Sequence, residues 1–111
     1  MSLPATTTTT RRPAVIAETD KAGTGTTTQV ADSSSSVTLL AANANRKGAS
    51  IQNTSSAVLY VKLGATAAAN SFTARLVQYA LYEVPFGYQG VIDGIWASDP
   101  GDGVAAITEF S

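Results

Sequence analysis

The sequence predicts an all-β protein, a small antiparallel β-sandwich or barrel of about seven short strands with an extended N-terminal arm. From Ser34 onward, short runs of alternating apolar and polar residues recur at intervals of roughly 8–12 residues, separated by turn-forming residues. No stretch has the apolar spacing of an amphipathic helix. The first 33 residues differ in composition from the rest, which predicts an arm over residues 1–33 and a β-domain over residues 34–111.

The strands are predicted from period-two alternation. In the run 58–63, Leu59, Val61 and Leu63 fall on one face and Tyr60 and Lys62 on the other. A polar cluster at 53–56 joins this run to the preceding one, a pattern that predicts a β-hairpin. The predicted strands cover residues 37–40, 49–53, 58–63, 71–76, 79–84, 91–97 and 104–110.

The N-terminal arm is rich in threonine and poor in bulky apolar residues. Only Val15, Ile16 and Val30 offer bulk, so the arm alone buries too little apolar surface to offset its ordering entropy. Threonine is β-branched and favours extended backbone, and 33 extended residues span on the order of 110 Å. We therefore expect the arm to bind along another chain. The alternative is a tail without a partner.

The composition limits how the β-domain can be stabilised. A domain of about 78 residues buries roughly 60% of its unfolded surface and is marginally stable alone. The sequence has no cysteine and no histidine, which removes disulfides, thiolate metal sites and the commonest general base. Oligomerisation, or docking onto a larger body, is the remaining source of stability.

Charge and hydropathy exclude several classes of partner. The net charge is −1, which argues against a nucleic-acid-binding protein. Charged residues make up 14% of the chain, below the usual ~25%, so either neighbouring subunits cover much of the surface or it is a neutral Thr/Ser surface. No stretch approaches the ~20 apolar residues of a membrane span. No secretory signal is recognisable, so we expect synthesis in the cytoplasm.

No residue pattern predicts an enzyme, a cofactor or a metal site. No histidine can activate the many hydroxyls, and the spacing of the acids singles out no catalytic pair. Residues 99–103 (Asp-Pro-Gly-Asp-Gly) faintly resemble a calcium loop, but proline and glycine already explain them as a turn. Residues 53–55 (Asn-Thr-Ser) match an N-glycosylation pattern and are more simply a turn.

Two groups of residues are candidates for binding. Arg11 and Arg12 form the only basic cluster of the arm and lie close to Val15 and Ile16, so these four residues are the predicted partner-binding set. The aromatic residues are expected in the core or at an oligomer interface, and exposed ones would also suit a carbohydrate. The aromatic set assigned to core or interface is Tyr60, Tyr82, Tyr88 and Trp96.

Residues 37–97 resemble a recurring β-domain of tailed-bacteriophage structural proteins. The resemblance lies in four segments: AANANRKG, IQNTSSAVLYVKLG, YEVP and GVIDGIWA. The matching positions are Asn43, Asn45, Arg46, Gly48, Ile51, Asn53, Leu59, Tyr60, Gly64, Tyr82, Glu83, Pro85, Gly90, Ile92, Gly94 and Trp96. The resemblance implies a virion component without enzymatic activity, often trimeric, in capsid decoration or in neck or fibre attachment.

These expectations combine into one hypothesis. The chain is expected to be a capsid decoration (cement) protein on the phage head, made in the host cytoplasm. Its expected partners are other copies of itself, as a homotrimer, and the major capsid protein, which the arm straps. The alternatives are a neck, tail or head-fibre component, or a carbohydrate- or receptor-binding module.

Overall fold

The computed structural model describes residues 21–111, and within them eight strands form two antiparallel four-stranded sheets. The predicted all-β sandwich is confirmed. The first sheet has the order β1-β8-β3-β6 and the second the order β2-β7-β4-β5. The strands are β1 (Gly25–Ala31), β2 (Val37–Leu40), β3 (Gly48–Asn53), β4 (Leu59–Leu63), β5 (Ala74–Leu76), β6 (Leu81–Val84), β7 (Ile92–Trp96) and β8 (Val104–Phe110).

The chain crosses between the two sheets at almost every connection. Only β4 and β5 follow one another within the same sheet. The orders β1-β8-β3-β6 and β2-β7-β4-β5 are those of a jelly roll, in which eight strands form two facing sheets. Most neighbours in each sheet are therefore distant in sequence, and side chains from remote segments meet on one face.

The core lies between the sheets because alternate residues of each strand point inward. In β3, Ala49, Ile51 and Asn53 are buried while the residues between them are partly exposed. Gly94 of β7 also faces inward, where a Cβ atom would lie 2.8 Å from Leu39 Cδ1. The buried cluster comprises Leu39, Leu40, Ala49, Ile51, Ala57, Leu59, Val61, Leu76, Val84, Ile92, Trp96, Ala105 and Ile107.

The predicted hairpin between residues 49–53 and 58–63 is wrong. Both strands exist, but β3 pairs with β6 and β8, whereas β4 pairs with β5 and β7 in the opposite sheet. The connecting segment turns inward: Ser55 is buried and accepts a hydrogen bond from the Ala57 N–H. The polar cluster is thus a crossing between sheets and not a tight turn within one.

Strand β1 lies inside the segment that the sequence assigns to the arm. All seven of its residues pair with β8, from Gly25 opposite Phe110 to Ala31 opposite Val104. The strand is Thr-rich and contributes only Val30 to the core, so its sequence lacks the apolar alternation of the other strands. The sheet therefore begins before residue 33, and Gly23 and Thr24 already donate backbone hydrogen bonds to Ser111 O.

Candidate interaction surface

Trp96 lies in the core and is bound to Asn53. The indole is 2% exposed and donates its Nε1–H to Asn53 Oδ1 across 3.0 Å. Asn53 Nδ2 donates in turn to the carbonyls of Ala57 (2.8 Å) and Leu76 (3.0 Å). The Asn53 side chain is fully buried, so it is not exposed as a glycosylation acceptor in the folded domain. Trp96 is likewise not exposed to stack on a sugar.

The three tyrosines of the predicted set occupy different positions. Tyr88 is half-buried against the core and donates its hydroxyl to Val91 O at 2.8 Å. Tyr82 also packs against the core, and its partial burial raises the pKa of its hydroxyl. Tyr60 points away from the core between the buried Leu59 and Val61 and packs against Phe72, with ring centroids 4.9 Å apart.

Arg46 joins three distant segments of the chain at one corner of the sandwich. Its side chain is fully buried, and Nε donates to Glu109 Oε2 at 2.8 Å in an ion pair. The terminal nitrogens donate to backbone carbonyls of Tyr88, Gly90 and Ala41. The guanidinium therefore uses its several donors to satisfy loop carbonyls that would otherwise be unpaired. Arg46 is one of the positions that resemble phage β-domains, but the sequence pattern does not predict this structural role.

The 99–103 segment binds serines of the β3–β4 crossing. Asp102 Oδ2 accepts from the Ser56 hydroxyl at 2.6 Å, and Asp102 Oδ1 from the Ser56 N–H at 3.2 Å. These bonds lower the pKa of Asp102. The Ser55 hydroxyl lies 2.8 Å from Asp32 Oδ2 and 3.2 Å from Asp102 Oδ1. Within residues 21–111, no group of three or more acidic residues is placed to hold a metal ion.

An exposed apolar groove lies on the outer face of the first sheet, at its β6 side. Leu81, Phe86 and Phe110 supply its apolar side chains, and Lys47 and Glu83 line it as well. The register places these residues together: Gly48 lies opposite Phe110, and β6 pairs with β3. We call these five residues the β6 groove. No local sequence pattern predicts the groove, because its residues are scattered between positions 47 and 110.

A turn beside the groove exposes two further apolar side chains. Val77 O accepts the Ala80 N–H in a β-turn, and Tyr79 within it has φ = 67°. This left-handed conformation favours glycine or asparagine over tyrosine. Tyr79 is nonetheless exposed, as is Val77.

Arg11, Arg12, Val15 and Ile16 lie outside the described residues, so the structure does not place them. The described chain begins at Lys21, close to the end of β8, because Gly23 is bonded to Ser111. The first described residues therefore lie at the same end of the first sheet as Phe110.

Comparison with known proteins gave no relative: no family model, no curated protein and no solved structure matched the chain. Along residues 21–111, no helix is long and apolar enough to cross a membrane.

Proposed function

We propose that the chain is a capsid decoration (cement) protein of a tailed bacteriophage, which oligomerises on the head and straps neighbouring capsid subunits with its N-terminal arm. The observation that carries the proposal is the combination of a compact eight-stranded jelly roll with 20 further residues that precede Lys21, where the described chain begins beside the C-terminal strand β8. The domain can associate with other copies, and the segment is long enough to contact a neighbouring capsid subunit.

The jelly roll supports a virion role by analogy. Double-sheet jelly rolls recur in viral capsid domains, and also in lectins and cupins, so the fold alone does not decide the function. The sequence resemblance to phage β-domains adds a second, independent reason. Several of its positions have structural roles here. Arg46 pairs with Glu109, Asn53 accepts a hydrogen bond from Trp96, and Gly94 allows close packing against Leu39.

The arm is suited to bind by strand addition. Strand β1 is itself a Thr-rich segment, and it adds to β8 along seven residue pairs. Residues 1–20 have a similar composition and span about 65 Å when extended. Such a segment could add backbone hydrogen bonds to a capsid subunit, with Arg11, Arg12, Val15 and Ile16 making side-chain contacts. Many copies on one particle multiply modest contacts through avidity.

A non-enzymatic role agrees with the chemistry of the described residues. Four of the five buried polar side chains within residues 21–111 are engaged in structural hydrogen bonds: Arg46 with loop carbonyls, Asn53 with Trp96, and Ser55 with Asp32. The fifth is Asp93, whose Oδ1 is buried without a hydrogen-bond partner in this part of the chain. We therefore propose that the protein acts by binding, with other copies and the major capsid protein as partners.

The test is to remove residues 1–20 and measure binding to purified heads that lack the protein. The deletion stops before β1, because a deletion through residue 33 would also remove the edge strand paired with β8. We expect the truncated protein to stay folded and to lose most of its occupancy. Undiminished occupancy would refute the strap.

A point variant and a copy-number measurement sharpen this test. Replacing both Val15 and Ile16 by serine should weaken head binding, whereas Thr8→Ala in the same segment serves as the matched control.

Densitometry of particles should give on the order of hundreds of copies for a decoration protein, against about a dozen for a neck ring of closed symmetry. The lower number would favour the neck or tail alternative.

A further inference from the structure

We propose that the β6 groove is the surface through which two copies of this chain contact each other about a two-fold axis, with Lys47 of each copy paired with Glu83 of the other. The inference rests on the proposed function in one respect: it names the place where the copies of the oligomer meet.

The exposed apolar area is large enough to form the centre of such a contact. The exposed fractions of the three apolar residues that line the groove are 58% for Leu81, 64% for Phe86 and 39% for Phe110. Since an aromatic side chain offers 150–250 Å², these three leave on the order of 300 Å² of surface exposed. One partner in a standard interface contributes about 800 Å². A domain with a small core gains most by covering such a surface.

The backbone around the groove also favours a contact. Strand β6 is an edge strand whose one partner is β3, so its other edge has no strand partner in the first sheet. Phe110 lies over two glycines of the adjacent strands: Cβ atoms at Gly25 and Gly48 would come within 3.5 Å and 3.9 Å of its ring. The ring therefore packs against the backbone of these glycines and remains partly exposed. Tyr79 remains exposed at a left-handed position that disfavours its side chain.

The charges identify a second copy as the occupant. Lys47 and Glu83 both line the groove, and neither forms an ion pair within the part of the chain that the structure describes. A partner whose surface carried one sign of charge would satisfy only one of them. A second copy carries both, so Lys47 of one can face Glu83 of the other. The net charge of −1 produces little repulsion between copies.

Charge reversal in the full-length chain tests the pairing. We expect the unmodified protein to self-associate, as measured by sedimentation equilibrium. Lys47→Glu or Glu83→Lys alone should each raise the dissociation constant about tenfold, because the contact then brings like charges together at each symmetry-related site. The double reversal should restore the dissociation constant to within about threefold of the original. Arg75→Glu, an exposed reversal on β5 of the other sheet, is the matched control.

A second variant keeps the test independent of the charges. Phe86 is exposed and should tolerate Phe86→Ser without loss of folding, as checked by circular dichroism, yet this variant should dissociate into monomers. A monomeric unmodified protein at about 100 μM, single reversals without effect, or a double reversal without rescue would each overturn the interface. Oligomers that form through the groove but do not bind phage heads would instead refute the decoration role and leave the interface intact.

Discussion

Trp96 and Asn53 connect the two sheets through a hydrogen bond of 3.0 Å between the indole Nε1–H and the amide Oδ1. Trp96 ends β7 in the second sheet, and Asn53 ends β3 in the first. The same amide oxygen accepts the Ser55 N–H, and the amide nitrogen donates to Ala57 and Leu76. One buried side chain thus satisfies polar groups from β5, β7 and the β3–β4 crossing.

Replacing Asn53 by alanine should destabilise the domain strongly. The change leaves the indole N–H and two carbonyls unpaired in the core, and each buried unsatisfied group costs about 1–3 kcal/mol. We expect the free energy of unfolding in urea to fall by about 3 kcal/mol or more. Asn43→Ala is the control: Asn43 Oδ1 accepts one exposed hydrogen bond, from the Asn45 N–H, and its loss should cost less than about 1 kcal/mol. Equal losses in the two variants would contradict this role of Asn53.

Breaking the Arg46–Glu109 ion pair should also lower the free energy of unfolding strongly. Arg46 is fully buried, and Glu109 is its only acidic partner among the described residues. Glu109→Gln leaves the guanidinium without a counter-charge, and breaking a buried pair in this way costs about 3–5 kcal/mol. Since Glu109 is itself 19% exposed, we expect the lower end of that range. Chemical denaturation measures the loss of unfolding free energy, and Arg75→Gln, at an exposed position, is the control. A loss under about 1 kcal/mol would show that the backbone carbonyls alone hold Arg46.

Period-two alternation was enough to predict the sandwich and most of its strands. Strand β1 escaped prediction as part of the domain because threonines occupy it and only Val30 contacts the core. The false hairpin has a related cause: alternation identifies strands but not their partners, and the polar residues 53–56 suit a crossing as well as a turn. The β6 groove depends on register between β3, β6 and β8, which local sequence does not contain.

A side chain at position 103 would clash with the backbone of the β3–β4 crossing. A Cβ atom at Gly103 would lie 2.4 Å from both the N and Cα atoms of Ser55, and these backbone atoms cannot move aside as a flexible side chain would. Gly103→Ala should therefore destabilise the domain by about 3 kcal/mol, as overpacking of a closed site does. Gly23→Ala is the matched control, because no atom lies within 4 Å of the added methyl group. Thermal denaturation of both variants checks the difference, and equal midpoints would show that the crossing can shift.

Asp102 gives the folded domain a defined response to acid. Hydrogen bonds from the Ser56 hydroxyl and the Ser56 N–H hold the pKa of Asp102 below its usual value of 3.8. The ionised carboxylate is the form that the fold favours, so its stabilisation is complete above pH 3.8 and is lost as the pH falls through the lower pKa of the folded state. Asp102→Asn should therefore lose stability less steeply than the unmodified protein below about pH 4.

Urea midpoints between about pH 2 and pH 7 measure this difference in slope. Asp99→Asn is the matched control, because Asp99 lies in the same turn and forms no side-chain hydrogen bond within residues 21–111. It removes one acid without removing a bond to Ser55 or Ser56, so its acid response should follow that of the unmodified protein. Parallel slopes for Asp102→Asn and the unmodified protein would mean that the contact with Ser56 does not contribute to stability in solution.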